Sequence, residues 1–396
     1  MNREDFPIIN TNIIYLDNGA TTLKPMCVID STIDYYSNYS ANAHRGDYDI
    51  SLKVDINYEG VREKVAQLIN CNSNEVIFTS GSTDSSNLVV DGYFRNKLKK
   101  DDEVLITYSE HASNVLPWFN LENEIGIKVN FIPLDENKHV TIDNVINSIT
   151  DNTKVISLAH VTNVLGDIRP IKEICEVAHK RGIKVVVDGA QSVPHIKTDV
   201  KDLDLDFLFF SAHKMCGPTG VGVLYGKYEL LEDMKPMNLG GGMNESFDDA
   251  EHIELKRIPT RFEGGTPNIA GVIAFGEAID YLLNIGFDNI TKREKELNSY
   301  LTNKLSEINF IHIVSNSDTG ITAFTVDGLF PQDVAIYLNK YNICVRAGNH
   351  CAKLLKNVIG TDNTIRVSLY FYNTIEEIDK LVDLLRDKNK IMKEMI

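Results

Sequence analysis

The stretch Asp206–Gly222 limits what this chain can fold into more than any other. It reads Asp-Phe-Leu-Phe-Phe-Ser-Ala-His-Lys-Met-Cys-Gly-Pro-Thr-Gly-Val-Gly. Phe207 to Phe210 form a run with no polar face, which suits a strand buried on both sides inside a sheet. The run stops at Ser211-Ala212-His213-Lys214, a Gly-Pro-Thr-Gly turn follows, and a second apolar run covers Val221–Tyr225. Lys214 therefore stands where a buried strand ends. Most lysines are simply solvated. An ammonium emerging beside buried strands is desolvated, which lowers its pKa and frees the amine for Schiff-base chemistry. Ser211 and His213 add a hydroxyl and an imidazole suited to a phosphate. Upstream, Val185-Val186-Val187 forms another buried strand and ends at Asp188-Gly189-Ala190-Gln191. In open α/β sheets that edge is where ligands bind. Alone, Asp188 reads as a turn or helix-cap residue.

The same alternation recurs upstream. Glu75–Thr79 reads as a strand, Ser80-Gly81-Ser82 as a turn and Thr83–Leu98 as a helix. A small, glycine-containing turn into a helix N-terminus favours an anion through free N–H groups and the helix dipole. Ser82 and Thr83 stand at that point. Strands are predicted over Glu103–Thr107 and Val155–Ala159, and a proline-led helix over Pro170–Lys180. Strand, helix, strand in repetition means an α/β fold with a mostly parallel sheet. Beyond Gly226 the order loosens, through the polar, irregular region around Gly240–Gly242. A helix over Thr291–Ile308 places Leu297, Leu301 and Leu305 on one face. Short strands are expected over Ile311–Val314, Thr322–Val326 and Ile343–Arg346, with a helix over Pro331–Tyr341. Thr374-Ile375-Glu376-Glu377 is a capping box opening the final helix. These elements predict a large domain over residues 21–270. A smaller α+β C-terminal domain is predicted from 1–20 and 271–396.

Composition narrows the function. Forty basic and 56 acidic residues leave a net charge of −16, which speaks against nucleic-acid binding. No stretch is long and apolar enough to span a membrane, and Met1–Pro7 lacks the apolar core of a signal peptide. The cysteines at 27, 71, 175, 216, 344 and 351 include no C-x-x-C pair. A disulfide framework or metal site is therefore not expected, and a reducing, cytoplasmic setting is. Cys27, Cys71 and Cys175 read as core fillers, and Cys344 as a buried strand residue. Cys351 differs: it follows a strand, in the glycine-containing loop Val345-Arg346-Ala347-Gly348-Asn349-His350-Cys351-Ala352. Positive neighbours there favour a thiolate.

Lys214 and Asp188 together fit the partners of pyridoxal 5′-phosphate, an amine for the imine and a carboxylate for the pyridine nitrogen. The two stretches resemble the cofactor site of class V aminotransferase-type enzymes, which have fold type I with a seven-stranded-type sheet. Ser-x-His-Lys-x-x-Gly-Pro-x-Gly and Arg-x-Gly-x-His-Cys-Ala resemble the group II (SufS-type) cysteine desulfurases. The resemblance runs from about Tyr15 to the last helix. It implies that L-cysteine is converted to L-alanine, with a persulfide on Cys351 passed to an acceptor protein of iron–sulfur cluster assembly. It implies catalytic roles for Lys214, Cys351 and His111, the histidine being stacked on the pyridine ring. It places the cofactor on Ser82, Thr83, His111, Asn163, Asp188, Gln191, Ser211, His213 and Lys214, and on Thr266 reaching across a homodimer. It places the substrate on Asn163, Arg366, His44 and Arg346, with Arg366 gripping the carboxylate. Two positions depart from the pattern: Lys353-Leu354-Leu355 replaces x-Pro-Leu, and Asn349 stands where a second histidine is common. A selenocysteine lyase, or another enzyme of the same class, is the alternative.

Overall fold

A computed structural model describes residues 3–248, 252–315 and 319–394. The first two and last two residues of the expected smaller domain, and 316–318 within it, lie outside the described residues. Seven strands build the central sheet: β1 (Val76–Thr79), β2 (Glu103–Ile106), β3 (Lys128–Phe131), β4 (Thr153–Ala159), β5 (Lys184–Asp188), β6 (Phe207–Ser211) and β7 (Gly222–Gly226). Their order is β1-β7-β6-β5-β4-β2-β3. Only β7 runs against its neighbours, because the Gly217–Gly220 turn returns the chain directly beside β6. The remaining pairs are parallel.

The apolar runs are explained by packing on both faces. Leu208 and Phe210 join one core while Phe207 and Phe209 join the other, all four at 0% exposure. Val185 and Val187 likewise face away from Val186. The first core is closed by helices α1 (Met26–Asn38) and α2 (Asp49–Ile69), the second by α3 (Ser82–Gly92) and Trp118. Helix α4 (Ile269–Ile285) packs on α1 and α2 and buries Val272, Phe275, Ile279 and Leu282 in the first core. By packing, α4 sides with the larger body, because it is apolar on most of its circumference.

Helix α5 (Phe287–Ser306) opens the smaller layer. Its sheet holds β8 (Ile311–Ile313), β9 (Ile321–Val326), β10 (Arg346–Gly348) and β11 (Thr364–Ser368), in the order β8-β9-β11-β10 and all antiparallel. Leu297, Leu301 and Leu305 meet Leu381, Val382 and Leu385 of α6 (Ile375–Leu385) in its core. Ile14 and Leu16 from the start of the chain join them. The capping box on Thr374 and Glu377 is formed.

Four local readings are corrected. The helix after Ser82 ends at Gly92 rather than Leu98, where Lys235 O would lie 2.5 Å from a Cβ and the chain must pass closely. Ile343–Arg346 is two strands: Ile343–Cys344 pairs with Ile14–Tyr15, and the chain then changes partner to β11. The region around Gly240–Gly242 leads into an antiparallel hairpin, Asn244–Phe247 with Ile253–Leu255. Cys27, Cys71 and Cys344 are half-buried, and only Cys175 and Cys216 are core residues.

One contact sets the spacing between sheet and phosphate-loop candidate. A Cβ on Gly222 would lie 2.4 Å from the Gly81 Cα. Gly222→Ala is expected to cost about 1–3 kcal/mol in urea unfolding, as overpacking does. Gly60→Ala, in α2 with nothing within 4 Å of the new methyl, is expected to stabilise instead.

Candidate active site

The carboxyl ends of β2, β4, β5 and β6 open into one cleft of about 210 Å³. These four strands deliver site residues at or just beyond their carboxyl ends. His111 comes from the loop after β2, Asn163 from the loop after β4, and Asp188 is the last residue of β5. Lys214 closes the short 3₁₀ turn Ala212–Lys214 after β6. The cleft floor also carries Gln191, whose Nε2 donates to Gly19 O at 2.7 Å.

One end of the cleft is built for an anion. Ser82 opens α3, and its N–H donates to Ser211 Oγ at 2.8 Å. The two serine hydroxyls stand 2.6 Å apart. Thr83 Oγ1 lies 2.7 Å from Ser113 Oγ. Thr83 and His213 line the same cleft. The helix N-terminus and these hydroxyls together favour negative charge.

Charge is arranged against burial in the middle. Burial pushes the Asp188 carboxyl up to about 6, and the Lys214 charge only partly offsets this. Its Oδ1 accepts from Ala190 N at 2.9 Å. Burial brings Lys214 down to about 8, helped by Arg366 and Arg346 and opposed by Asp188. A lysine near neutrality is a usable amine at physiological pH. Burial, then Lys214, Arg366 and Arg346, lower His111 to about 3, so its imidazole is neutral. Its Nδ1 accepts from Ser113 N at 3.1 Å.

The other end is cationic and carries the thiol. Arg366 is 2% exposed, and its guanidinium donates through Nη1 to Asn163 O at 2.9 Å and through Nη2 to Asp17 Oδ1 at 3.0 Å. Arg346, on β10, lines the same wall. Cys351 is exposed at the mouth. Its carbonyl accepts from Ala112 N at 2.7 Å, and its N–H donates to Asn349 Oδ1 at 3.0 Å. His350 and Cys351 have φ of 51° and 60°, a tight left-handed turn that two non-glycine residues adopt only under constraint.

Twelve expected residues thus line one cleft: Ser82, Thr83, His111, Asn163, Asp188, Gln191, Ser211, His213, Lys214, Arg346, Cys351 and Arg366. Two do not. His44 faces Glu59 and Asp55 along α2, with Nε2 3.2 Å from Glu59 Oε1, and the hydrogen bond to Glu59 raises its pKa. These two carboxylates, one helical turn apart, attract it away from the cleft. Thr266 is exposed, 3.5 Å from Asn42 Nδ2, and lines no part of the cleft. Sequence reasoning missed Asp17, Ser113 and the state of His350. His350 is 5% exposed and held by Thr364 Oγ1 at 2.9 Å, and burial, Arg366 and Arg346 bring it down to about 3. The histidine beside Cys351 is therefore neutral, and the nearby positive charge comes from the arginines and Lys214.

The donor set fits a phosphorylated, nitrogen-containing aldehyde. It offers an anion cradle, a buried carboxylate, a lysine lowered to about 8 and a neutral imidazole around one space. Asn163 Oδ1, Gln191 Oε1 and Arg366 Nε, all on cleft residues, are buried without a hydrogen-bond partner among the described residues. Unpaired buried polar atoms point to a ligand that is part of the working site.

Comparison with known proteins agrees with this geometry. The family model described as aminotransferase class-V matches residues 14–381. A probable cysteine desulfurase of Halalkalibacterium halodurans is 43% identical over 383 residues, covering 95% of this chain and 94% of that protein. The crystal structure of the cysteine desulfurase CsdA from Escherichia coli superposes with a TM-score of 0.93 at 34% identity, covering 100% of this chain and 98% of the other. The apo cysteine desulfurase of Thermococcus onnurineus superposes at 0.94 with 35% identity, covering 99% and 97%.

Four neutral histidines, His111, His160, His213 and His350, sit at or beside the cleft, each lowered chiefly by burial. The unfolded chain takes up protons near pH 6.5 and the folded apoprotein does not, so this stability is present above pH 6.5 and lost as pH falls. His350→Gln is expected to flatten the pH dependence of apoprotein unfolding between pH 6 and 4 by about 1.4 kcal/mol per pH unit. Urea unfolding across that range reads it.

Proposed function

The chain belongs to the class-V aminotransferase family, and we propose that within it the protein is a pyridoxal-phosphate-dependent cysteine desulfurase. The observation that carries this reading is Cys351, an exposed thiol at the mouth of the cleft that holds Lys214 and Asp188. An aminotransferase of this fold has no task for that thiol.

Ser82, Thr83, Ser211 and His213 would hold the cofactor phosphate, and Asp188 its pyridine nitrogen. When bound, pyridoxal phosphate supplies an aldehyde for the substrate amine and an electron sink for the pair released from carbon. Asp188 does its part only when ionised, and a carboxyl pushed to about 6 is mostly so at neutral pH. Lys214, near neutrality, can give up and take back a proton at the substrate α-carbon. His111, neutral and oriented by Ser113, is placed for proton transfer beside it. Arg366 meets the carboxylate of L-cysteine with the guanidinium that Asp17 and Asn163 O hold still. Arg346 adds positive charge to the same wall.

Cys351 then takes the substrate sulfur. Its thiolate attacks that sulfur, the new S–S bond forms as the C–S bond breaks, and alanine leaves with a proton returned to carbon. The persulfide on Cys351 faces solvent, where an acceptor protein of iron–sulfur cluster assembly can reach it. A free thiol of this kind suits the reducing cytoplasm. The compact Cys351 turn, pinned by Ala112 and Asn349 and followed by the 3₁₀ turn Lys353–Leu355, supports a group II assignment. The exposed Thr266 supports a homodimer in which that residue completes the neighbouring subunit's phosphate site.

Cys351→Ala is expected to fold, bind pyridoxal phosphate and still change its visible absorbance when cysteine is added. Sulfide and alanine formation should fall at least about a hundredfold, since the nucleophile is gone. Cys344→Ser should keep turnover. Retained sulfide release in Cys351→Ala would move the reaction to another thiol.

A further inference from the structure

Behind the cleft lies a buried ion pair that the reaction does not use directly. Glu110 and Arg169 are both 0% exposed and joined through Oε1 and Nη1. Glu110 is engaged with the backbone and hydroxyls around it, and so is Arg169 except at Nε, which has no hydrogen-bond partner among the described residues and stands 3.6 Å from the buried Asp167 Oδ2. Glu110 Oε1 also accepts from Thr107 Oγ1 at 2.7 Å. Its Oε2 accepts from Ala159 N at 2.8 Å and from Asn114 Nδ2 at 2.9 Å. Arg169 donates through Nη2 to Thr107 Oγ1 at 2.9 Å and Ser109 Oγ at 2.7 Å, and through Nη1 to Ala159 O at 3.2 Å.

The two residues belong to different loops. Glu110 immediately precedes His111. Arg169 ends a small hairpin, in which Val161 bridges Ile168 and Arg169 N donates to His160 O at 3.0 Å. Asn163 stands near the tip of that hairpin, where its carbonyl receives Arg366 and its Nδ2 donates to His350 O. The pair is thus the buried link between the loop that carries His111 and the hairpin that carries Asn163.

We propose that Glu110 and Arg169 are positioning residues, which set His111 and Asn163 at a fixed spacing across the cofactor space. A buried pair is weak evidence for stability as such, because desolvation offsets much of the attraction. Its directional hydrogen bonds are what hold two loops to a few tenths of an ångström, as catalytic groups require. A lysine at 169 would keep the charge and lose the planar fork that reaches Glu110, Thr107 and Ser109 together.

The inference rests on the cofactor reading of the cleft and does not depend on the sulfur chemistry. Apoprotein is titrated with pyridoxal 5′-phosphate, reading the dissociation constant from visible absorbance and the ring orientation from the induced circular dichroism per bound cofactor. Wild type that binds no cofactor overturns the reading itself. With wild type binding, Arg169→Lys is expected to raise the dissociation constant about tenfold and to lower the dichroism per bound cofactor. In a His111→Ala background the same change should be less than about twofold, because residues acting through one another are not additive. Wild-type affinity and dichroism in Arg169→Lys, or an equal effect in both backgrounds, overturns the proposal. Where Arg169→Lys does not fold, Glu110→Gln carries the same expectations. Failure of both to fold assigns the pair a purely structural role and overturns the proposal too.

Discussion

Desolvation of Asp188 and Lys214 on neighbouring strand ends is the constraint on which the rest of the site depends. Burial disfavours the charged form of both groups, and each is helped by the other's charge. That balance is possible because β5 and β6 are adjacent and parallel, so their carboxyl ends open on the same space. A solvated lysine would be a fully charged ammonium, and a solvated aspartate would lack the fixed relation to a ring nitrogen. The arginines at 346 and 366 tip Lys214 further toward the neutral amine. The same burial keeps the surrounding histidines neutral, so the positive charge in the cleft is concentrated on the groups that meet anions.

The two layers of the molecule divide the chemistry. The large sheet supplies the anion cradle, the carboxylate and the amine from the carboxyl ends of β1, β5 and β6. The smaller sheet supplies Arg346 and Arg366 from β10 and β11, whose residues pair directly, and the turn with Cys351 follows β10. The seam between them is polar and specific. Arg366 crosses to Asn163 O, Ala112 N crosses to Cys351 O, and Asn163 Nδ2 crosses to His350 O. These bonds place the thiol turn against the loops after β2 and β4. The strain of two left-handed residues at 350 and 351 is held by them.

Much of this was legible before any coordinates. Runs without a polar face identified β5 and β6, because a strand covered on both sides has no residue to show to water. The polar residues ending these runs marked the ligand edge, which is why Asp188 and Lys214 were found, whereas Asn163 and His111 were placed by the family resemblance. The capping box at Thr374 was read correctly for a similar reason, since capping is a bond between residues three apart. Errors came where the deciding contact is distant. The turn of the chain at Val345 depends on Ile14–Tyr15 taking Ile343–Cys344 as partner. The end of α3 at Gly92 depends on the passage of Lys235.

What the sequence alone determined is therefore the identity of the strands, the residues at their carboxyl ends and the thiol in its loop. These rest on burial patterns and bonds spanning a few positions. Only the tertiary structure decided that Arg366 reaches Asn163, that Asp17 steadies it, that His44 turns to Glu59 instead, and that Glu110 meets Arg169. It also decided the setting of His350, where burial and then Arg366 and Arg346 lower its pKa to about 3. The physical reason is that dielectric environment and ion pairing are set by whatever the fold packs against a group. For a partner 203 residues away, as between Asn163 and Arg366, no local pattern records it.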